Sequence, residues 1–175
     1  IRFLFFLIVV SSLFTQAQDK ETTPTSEEER RVNVSDFISI KIYSGIEVKL
    51  IPANENKLVI SGADKNDVVV KTKGQTLKIR HSLDHFLNPT FIYVELYHKN
   101  TLDEINLYQG SVLETDSIYQ QTSISIKVQE GSSMKFKFDG EKLTSSVNTG
   151  GKLFISGHAT NHESSVTSGG ACEGE

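Results

Sequence analysis

A seven-residue phrase recurs between Val34 and the last residue: an aliphatic residue, two others, a glycine, two more, then another apolar residue. The copies centre on Gly45, Gly110, Gly131, Gly150 and Gly169, and the last four of these glycines lie 21, 19 and 19 residues apart. Three residues before each glycine stands Ile42, Leu107, Val128, Val147 or Val166. Three residues after it stands Val48, Leu113, Met134, Leu153 or Cys172. A fixed spacing of this length is the signature of stacked repeats. Hairpins of a sandwich have no reason to hold one phase around one glycine, whereas coils laid one on another do. Like residues then pack on their counterparts at the strand spacing of about 4.8 Å. The glycine marks a corner that needs positive φ or close backbone approach. The pattern predicts an all-β chain: a right-handed parallel β-helix or β-solenoid with rungs of 19–21 residues.

The local period agrees. Phe37–Ile42, Ile46–Leu50, Leu77–Arg80, Ile124–Val128 and Met134–Phe138 alternate apolar with Ser, Lys or Glu, which places one face of each strand in a core. Turn signals such as Pro52-Ala53-Asn54, Lys73-Gly74 and Asp139-Gly140 are frequent, and no helix-length segment of period 3.6 follows the N-terminus. Residues 51–99 break the long period. They are expected to form a wider N-terminal β region that caps the stack, because a bare first rung exposes unpaired backbone.

The first seventeen residues differ in kind. Arg2, the apolar run from Phe3 to Val10, and Thr15-Gln16-Ala17 read as a secretory signal cleaved after Ala17, too short to span a bilayer. Loss of Arg2 takes the net charge from −4 to −5. Residues 18–33, polar and carrying Glu27-Glu28-Glu29-Arg30-Arg31, read as a disordered tether, leaving 34–175 as the head domain. That domain is expected to continue beyond Glu175, which falls inside a fifth copy of the phrase. A single cysteine provides no intramolecular disulfide. The basic residues Lys71, Lys73, Lys78 and Arg80 alternate with apolar ones as the wet face of a strand. An acidic chain without concentrated Lys and Arg is not a nucleic-acid binder.

Tyr43-Ser44-Gly45-Ile46-Glu47-Val48-Lys49-Leu50, the spacing from it to Leu58-Val59-Ile60 and Gly74–Ile79, and the later turns at Gly110-Ser111, Gly131-Ser132, Gly150-Gly151 and Gly169-Gly170 resemble the bacterial auto-transporter adhesin, head GIN domain family. The resemblance covers Val34 to the end. It implies an exported envelope protein with a β-solenoid fold and brings no catalytic residues with it. Gln109 and Glu130 depart from its pattern, standing where a small residue precedes the glycine.

Candidate chemistry is sparse. His81 with His85, and His158 with His162 near Cys172, have the residue types of a metal site, but loop positions favour plain surface histidines. Cys172 shares the inward slot of Leu153, so core packing is expected over nucleophilic chemistry. The acid pairs Asp103-Glu104 and Glu114/Asp116 raise a polysaccharide-active enzyme as an alternative. A further alternative is an envelope protein that sequesters a ligand or senses stress. The outward residues Ser123, Ser125, Lys127, Lys135, Lys137, Ser146, Asn148, Ser165 and Thr167 offer a hydroxyl-rich face, with Tyr43 and Tyr108 as scattered aromatics. The expectation is a non-enzymatic structural or adhesion-like module. It has no cofactor, no metal and no transmembrane span in the mature chain. Its partner, not written in the sequence, is an envelope protein or a glycan. Its address is the periplasm, outer surface or medium.

Overall fold

Alternation becomes strand throughout the computed structural model of the chain, which describes residues 29–82 and 91–175. The strands are β1 (Arg30–Asn33), β2 (Ser39–Ile42), β3 (Glu47–Pro52), β4 (Lys57–Ser61), β5 (Val68–Lys73), β6 (Thr76–His81), β7 (Tyr93–His98), β8 (Glu104–Leu107), β9 (Val112–Val128), β10 (Ser133–Val147), β11 (Lys152–Val166) and β12 (Ala171–Gly174). Among the described residues a 3₁₀ turn, Lys65–Asp67, interrupts them. The fold is all-β, one strongly curled sheet. The expectations for residues 1–17 and for 18–28 lie outside the described residues.

Sequential strands β9, β10, β11 and β12 pair parallel, Val128 with Val147 and Val147 with Val166, Leu113 with Met134, Leu153 with Cys172. A straight strand as long as β10 (15 residues) would run about 50 Å. The four residues 148–151 that join β10 to β11 reach at most ~14 Å. A parallel neighbour is therefore attainable only if each long strand curls until its end lies beside its start. The 21-residue interval has a local cause. Glu114 pairs with Lys135 and Ile118 with Lys137, so Thr115, Asp116 and Ser117 face the single Phe136. Those two extra residues form a bulge, and the register of 19 resumes beyond it.

Spatial order departs from chain order at the N-terminal side. The arms β2 and β3, joined through Gly45, lie beside β8 and the start of β9: Ile42 pairs with Leu107 and Val48 with Leu113. Their other neighbours are β6 and β7, with Ile42 on Ile79 and Val48 on Val94. Strands β4 to β7 thus add a further layer outside the one that precedes them, and the chain then crosses back to continue from Glu104. Antiparallel strands finish that side: β5 on β6, β4 on β7, and β1 on β4. Strand β1 corrects the tether boundary. Arg30–Asn33 pair with Lys57–Ile60, and the Arg30 guanidinium donates to the carbonyls of Lys65 (3.0 Å) and Val68 (2.7 Å).

Two columns run through the core. One comprises Ile79, Ile42, Leu107, Val128 and Val147, the other Ile60, Val94, Val48, Leu113, Met134 and Leu153, all fully buried. Burial of each such side chain stabilises by about 1.5–3 kcal/mol. Val166 departs from the expected inward stack. It lies beside Val147, yet it is 45% exposed. The reason is that β12 covers β11 only from Lys152 to Ile155, so nothing among the described residues lies on the far side of Val166. Cys172 is half-buried against the core for the same reason.

Candidate functional site

The repeat glycines build a spine of stacked turns. Gly45, Gly110, Gly131, Gly150 and Gly169 all have φ between +70° and +75°. The residue before each also has positive φ: Ser44 (66°), Gln109 (57°), Glu130 (55°), Thr149 (48°) and Ser168 (50°). Two successive left-handed residues make a type I′ turn, closed from Ser111, Ser132, Gly151 and Gly170 N–H to the carbonyls of Tyr108, Gln129, Asn148 and Thr167. Each turn also binds the next. The N–H groups of Gly45, Gly110, Gly131 and Gly150 donate to the carbonyls of Gln109, Glu130, Thr149 and Ser168 at 2.9–3.2 Å. A left-handed non-glycine residue costs roughly 1–2 kcal/mol, and this ladder holds it in place. Gln109 and Glu130, which break the resemblance, adopt the same turn as the small residues.

On one outward face the spine is flanked by three rows of side chains. The first runs Lys73, Thr76, Ser39, Glu104, Ser125. The second runs Lys71, Lys78, Lys41, Asn106, Lys127 and continues as Ser146 and Ser165. In the third, Arg80, Tyr43 and Tyr108 follow one another, and the two tyrosine rings stack at 4.8 Å with planes 10° apart. Partial burial raises both phenols above the ordinary range, helped by Glu130 at Tyr43 and by the neighbouring ring at Tyr108. Lys127 reaches Glu104 at 3.5 Å. The basic residues of β5 and β6 are therefore one end of a stripe that the register completes with Lys41 and Lys127.

The opposite outward face carries mixed charge. Glu95, Lys49, Glu114 and Lys135 stand side by side. Asp116, on the bulge, accepts from Lys49 Nζ at 2.8 Å, which holds its carboxyl below the usual range and the lysine above its own. Asp116 is thus kept ionised, a poor state for a general acid. A shallow groove of about 400 Å³ lies here, lined by Glu114, Asp116, Lys135, Lys137, Phe154 and Glu173 among others.

The histidines do not converge. His85 lies outside the described residues and His81 is buried at the end of β6. His158 and His162 are exposed on β11, and His162 Nε2 lies 2.9 Å from Ser145 Oγ. Among the described residues no group of three or more His, Cys, Asp or Glu could hold a metal ion. Asp103 is exposed, and Glu104 accepts from Ser39 Oγ at 3.2 Å. Sequence reasoning missed His98. It is buried, its Nδ1–H donates to Asn100 O at 2.9 Å, and its Nε2 accepts from Tyr119 Oη at 2.8 Å. Burial pushes the imidazole below its ordinary value and the phenol well above its own. The alternation Tyr93–His98 placed His98 inward beside Val94 and Leu96, and that was the available signal.

Comparison with known proteins fits this architecture. The family model described as "Putative auto-transporter adhesin, head GIN domain" matches residues 36–175. Among solved structures, a "Putative lipid binding protein" from Parabacteroides distasonis superposes with a TM-score of 0.66 at 17% identity, over 79% of this chain and 62% of that one. The chain thus spans less than two-thirds of that relative's length. A "putative adhesin" from Bacteroides fragilis superposes with a TM-score of 0.50 at 11% identity, over 85% of this chain and 96% of that one. At these identities the likeness is one of fold. No curated protein matches the chain. No helix among the described residues is long and apolar enough to cross a membrane.

Proposed function

The chain belongs to the auto-transporter adhesin, head GIN domain family, and on that premise we propose that it is an exported, non-catalytic envelope module. Its curled sheet is a right-handed β-solenoid serving as a rigid support for a binding face. The observation that carries this reading is the in-register parallel ladder from β6 through β11, which aligns outward side chains into rows while the dry columns hold the backbone still. Extended repeat surfaces of this kind suit contact with long or repetitive partners. The apolar run before Ala17 supports export by a cleaved signal, and the polar residues from Gln18 to Glu28 support a tether that precedes the head.

The enzymatic alternative needs one protonated acid and one ionised carboxylate, and the Lys49–Asp116 ion pair leaves Asp116 only the second role. Binding of purified envelope glycans and envelope proteins to the exported chain tests the proposal. Saturable binding without turnover of the glycan is the expected result. Cleavage of a polysaccharide that disappears in Glu114→Gln would replace it with the enzymatic reading.

A further inference from the structure

The three-row face has a recess at its N-terminal end. Between the Tyr43 ring and strand β6 lies a cavity of about 330 Å³ lined by Tyr43, Ser44, Lys78, Arg80, Ser82 and Gln109, with His81 behind them. The stack with Tyr108 occupies one side of Tyr43. The other side looks toward Arg80, since Tyr43 N–H donates to Ile79 O at 3.0 Å and sets the two residues side by side. Arg80 Nη1 donates to His81 O at 2.8 Å, which fixes the guanidinium near the slot. Lys71, Lys78 and Lys41 are successive neighbours at the strand spacing of about 4.8 Å, and past Asn106 the row reaches Lys127, which pairs with Glu104. The charge of the whole chain is −4, so this stripe is a local reversal of sign and not part of a general basicity.

We infer that this slot binds an acidic sugar residue of a polysaccharide: its carboxylate meets Lys78 and Arg80, its ring lies against Tyr43, and the next acidic units follow the lysine row. The inference rests on the binding-module reading and gives it a site and a ligand class. The chemistry selects this ligand in three ways. Arginine and lysine together favour a carboxylate through charge-assisted hydrogen bonds. A half-buried tyrosine offers both an apolar face to a sugar ring and a hydroxyl to its oxygens. Three successive cations at the strand spacing, Lys71, Lys78 and Lys41, match a linear polymer whose charges repeat at each pyranose unit. An anionic membrane fits less well, because the exposed large apolar side chains among the described residues, Phe91, Ile118 and Val166, are not in these rows.

The experiment is calorimetric titration of the exported chain with a uronic-acid oligosaccharide, tetragalacturonate, and with its carboxyl-reduced neutral counterpart. The charged oligomer binds, and binding weakens about tenfold or more on carboxyl reduction and in Lys78→Gln/Arg80→Gln, as loss of hydrogen bonds to a charged group requires. Thermal melting of the double variant confirms folding, and Lys41→Gln provides a second variant with a smaller loss. Equal binding by the variants, or no binding at millimolar oligomer, overturns the site. So does equal affinity for an oligothymidylate of the same charge or for phosphatidylglycerol vesicles. Glycan binding elsewhere that ignores these variants leaves the proposed function standing. Failure to bind any envelope glycan or protein removes both.

Discussion

The two ends of the described column are built from different strands and finished differently. At the N-terminal end, Ile79 and Val94 are flanked by Val70 of β5 and Ile60 of β4, antiparallel strands that end the parallel ladder, and β1 pairs along the outer edge of β4. Ile79, Val94 and Ile60 there are fully buried, and Val70 outside Ile79 is partly buried against the core. At the C-terminal side the last column members among the described residues are Val166, 45% exposed, and half-buried Cys172. The inward positions also change character. Leu77, Ile40, Ile105 and Ile126 give way to Ser145 and Ser164, and Ile124 and Leu143 to His162. Ser145 is buried yet satisfied, donating to Ser164 Oγ at 3.0 Å and lying 2.9 Å from His162. A stacked β architecture needs a neighbour on each side of a residue before that residue contributes its full burial, and a side chain one layer further out contributes far less.

The sharpest way to break this contrast is to place a charge at equivalent positions along one column. Val147→Asp buries an unpaired carboxylate and costs several kcal/mol, enough to unfold a domain of ordinary stability. Val166→Asp, the adjacent member, shifts urea stability by about 0.5 kcal/mol or less. Equal effects at the two sites would contradict the account. Next in size are the glycines at the exits of the turns. A Cβ on Gly151 would stand 2.3 Å from Val128 O, and one on Gly170 would stand 2.6 Å from Val147 O. Gly151→Ala, with packed layers on both sides, costs roughly 1–3 kcal/mol by overpacking, whereas Gly170→Ala costs less because the outer layer can shift.

The capped end also carries a pH dependence. His98 is held neutral, with a folded value below its ordinary 6.5. Above that ordinary value both folded and unfolded states are neutral and stability is complete. As pH falls below it the unfolded chain takes up a proton that the folded chain resists, so stability declines down to the folded value and then levels. Urea midpoints measured across this range fall with acidification, and the part due to His98 disappears in His98→Gln. The smallest effect is a gain. Thr149 is a β-branched residue at φ +48°, and Thr149→Gly relieves about 1 kcal/mol of that conformation, which raises the melting temperature.

How far the sequence predicted this depends on what carried the information. The periodic glycines and their flanking aliphatics specified the parallel register of 19, because only one phase buries Val128 and Val147 together. The all-β class followed from alternation. The further layer formed by β6 and β7 was not legible, because it lacks the glycine phrase and enters the stack out of chain order. Positive φ at Gln109 and Glu130 was hidden for a similar reason: the hydrogen-bond ladder between turns imposes it, and neither side chain signals it. Strand β1 escaped notice because pairing with β4 orders a segment too polar to bury a core of its own. The Tyr43–Arg80 slot joins residues 37 positions apart in the chain, and nothing local announces it.

Cross-linking reads the register directly. With Cys172 replaced by serine, Ser146→Cys/Ser165→Cys places two thiols on outward register partners of adjacent parallel strands, at a separation a disulfide spans. Mild oxidation of the folded chain closes this pair rapidly and leaves Ser146→Cys/Glu163→Cys open. Closure of the second pair in preference to the first would mean that like residues do not lie side by side.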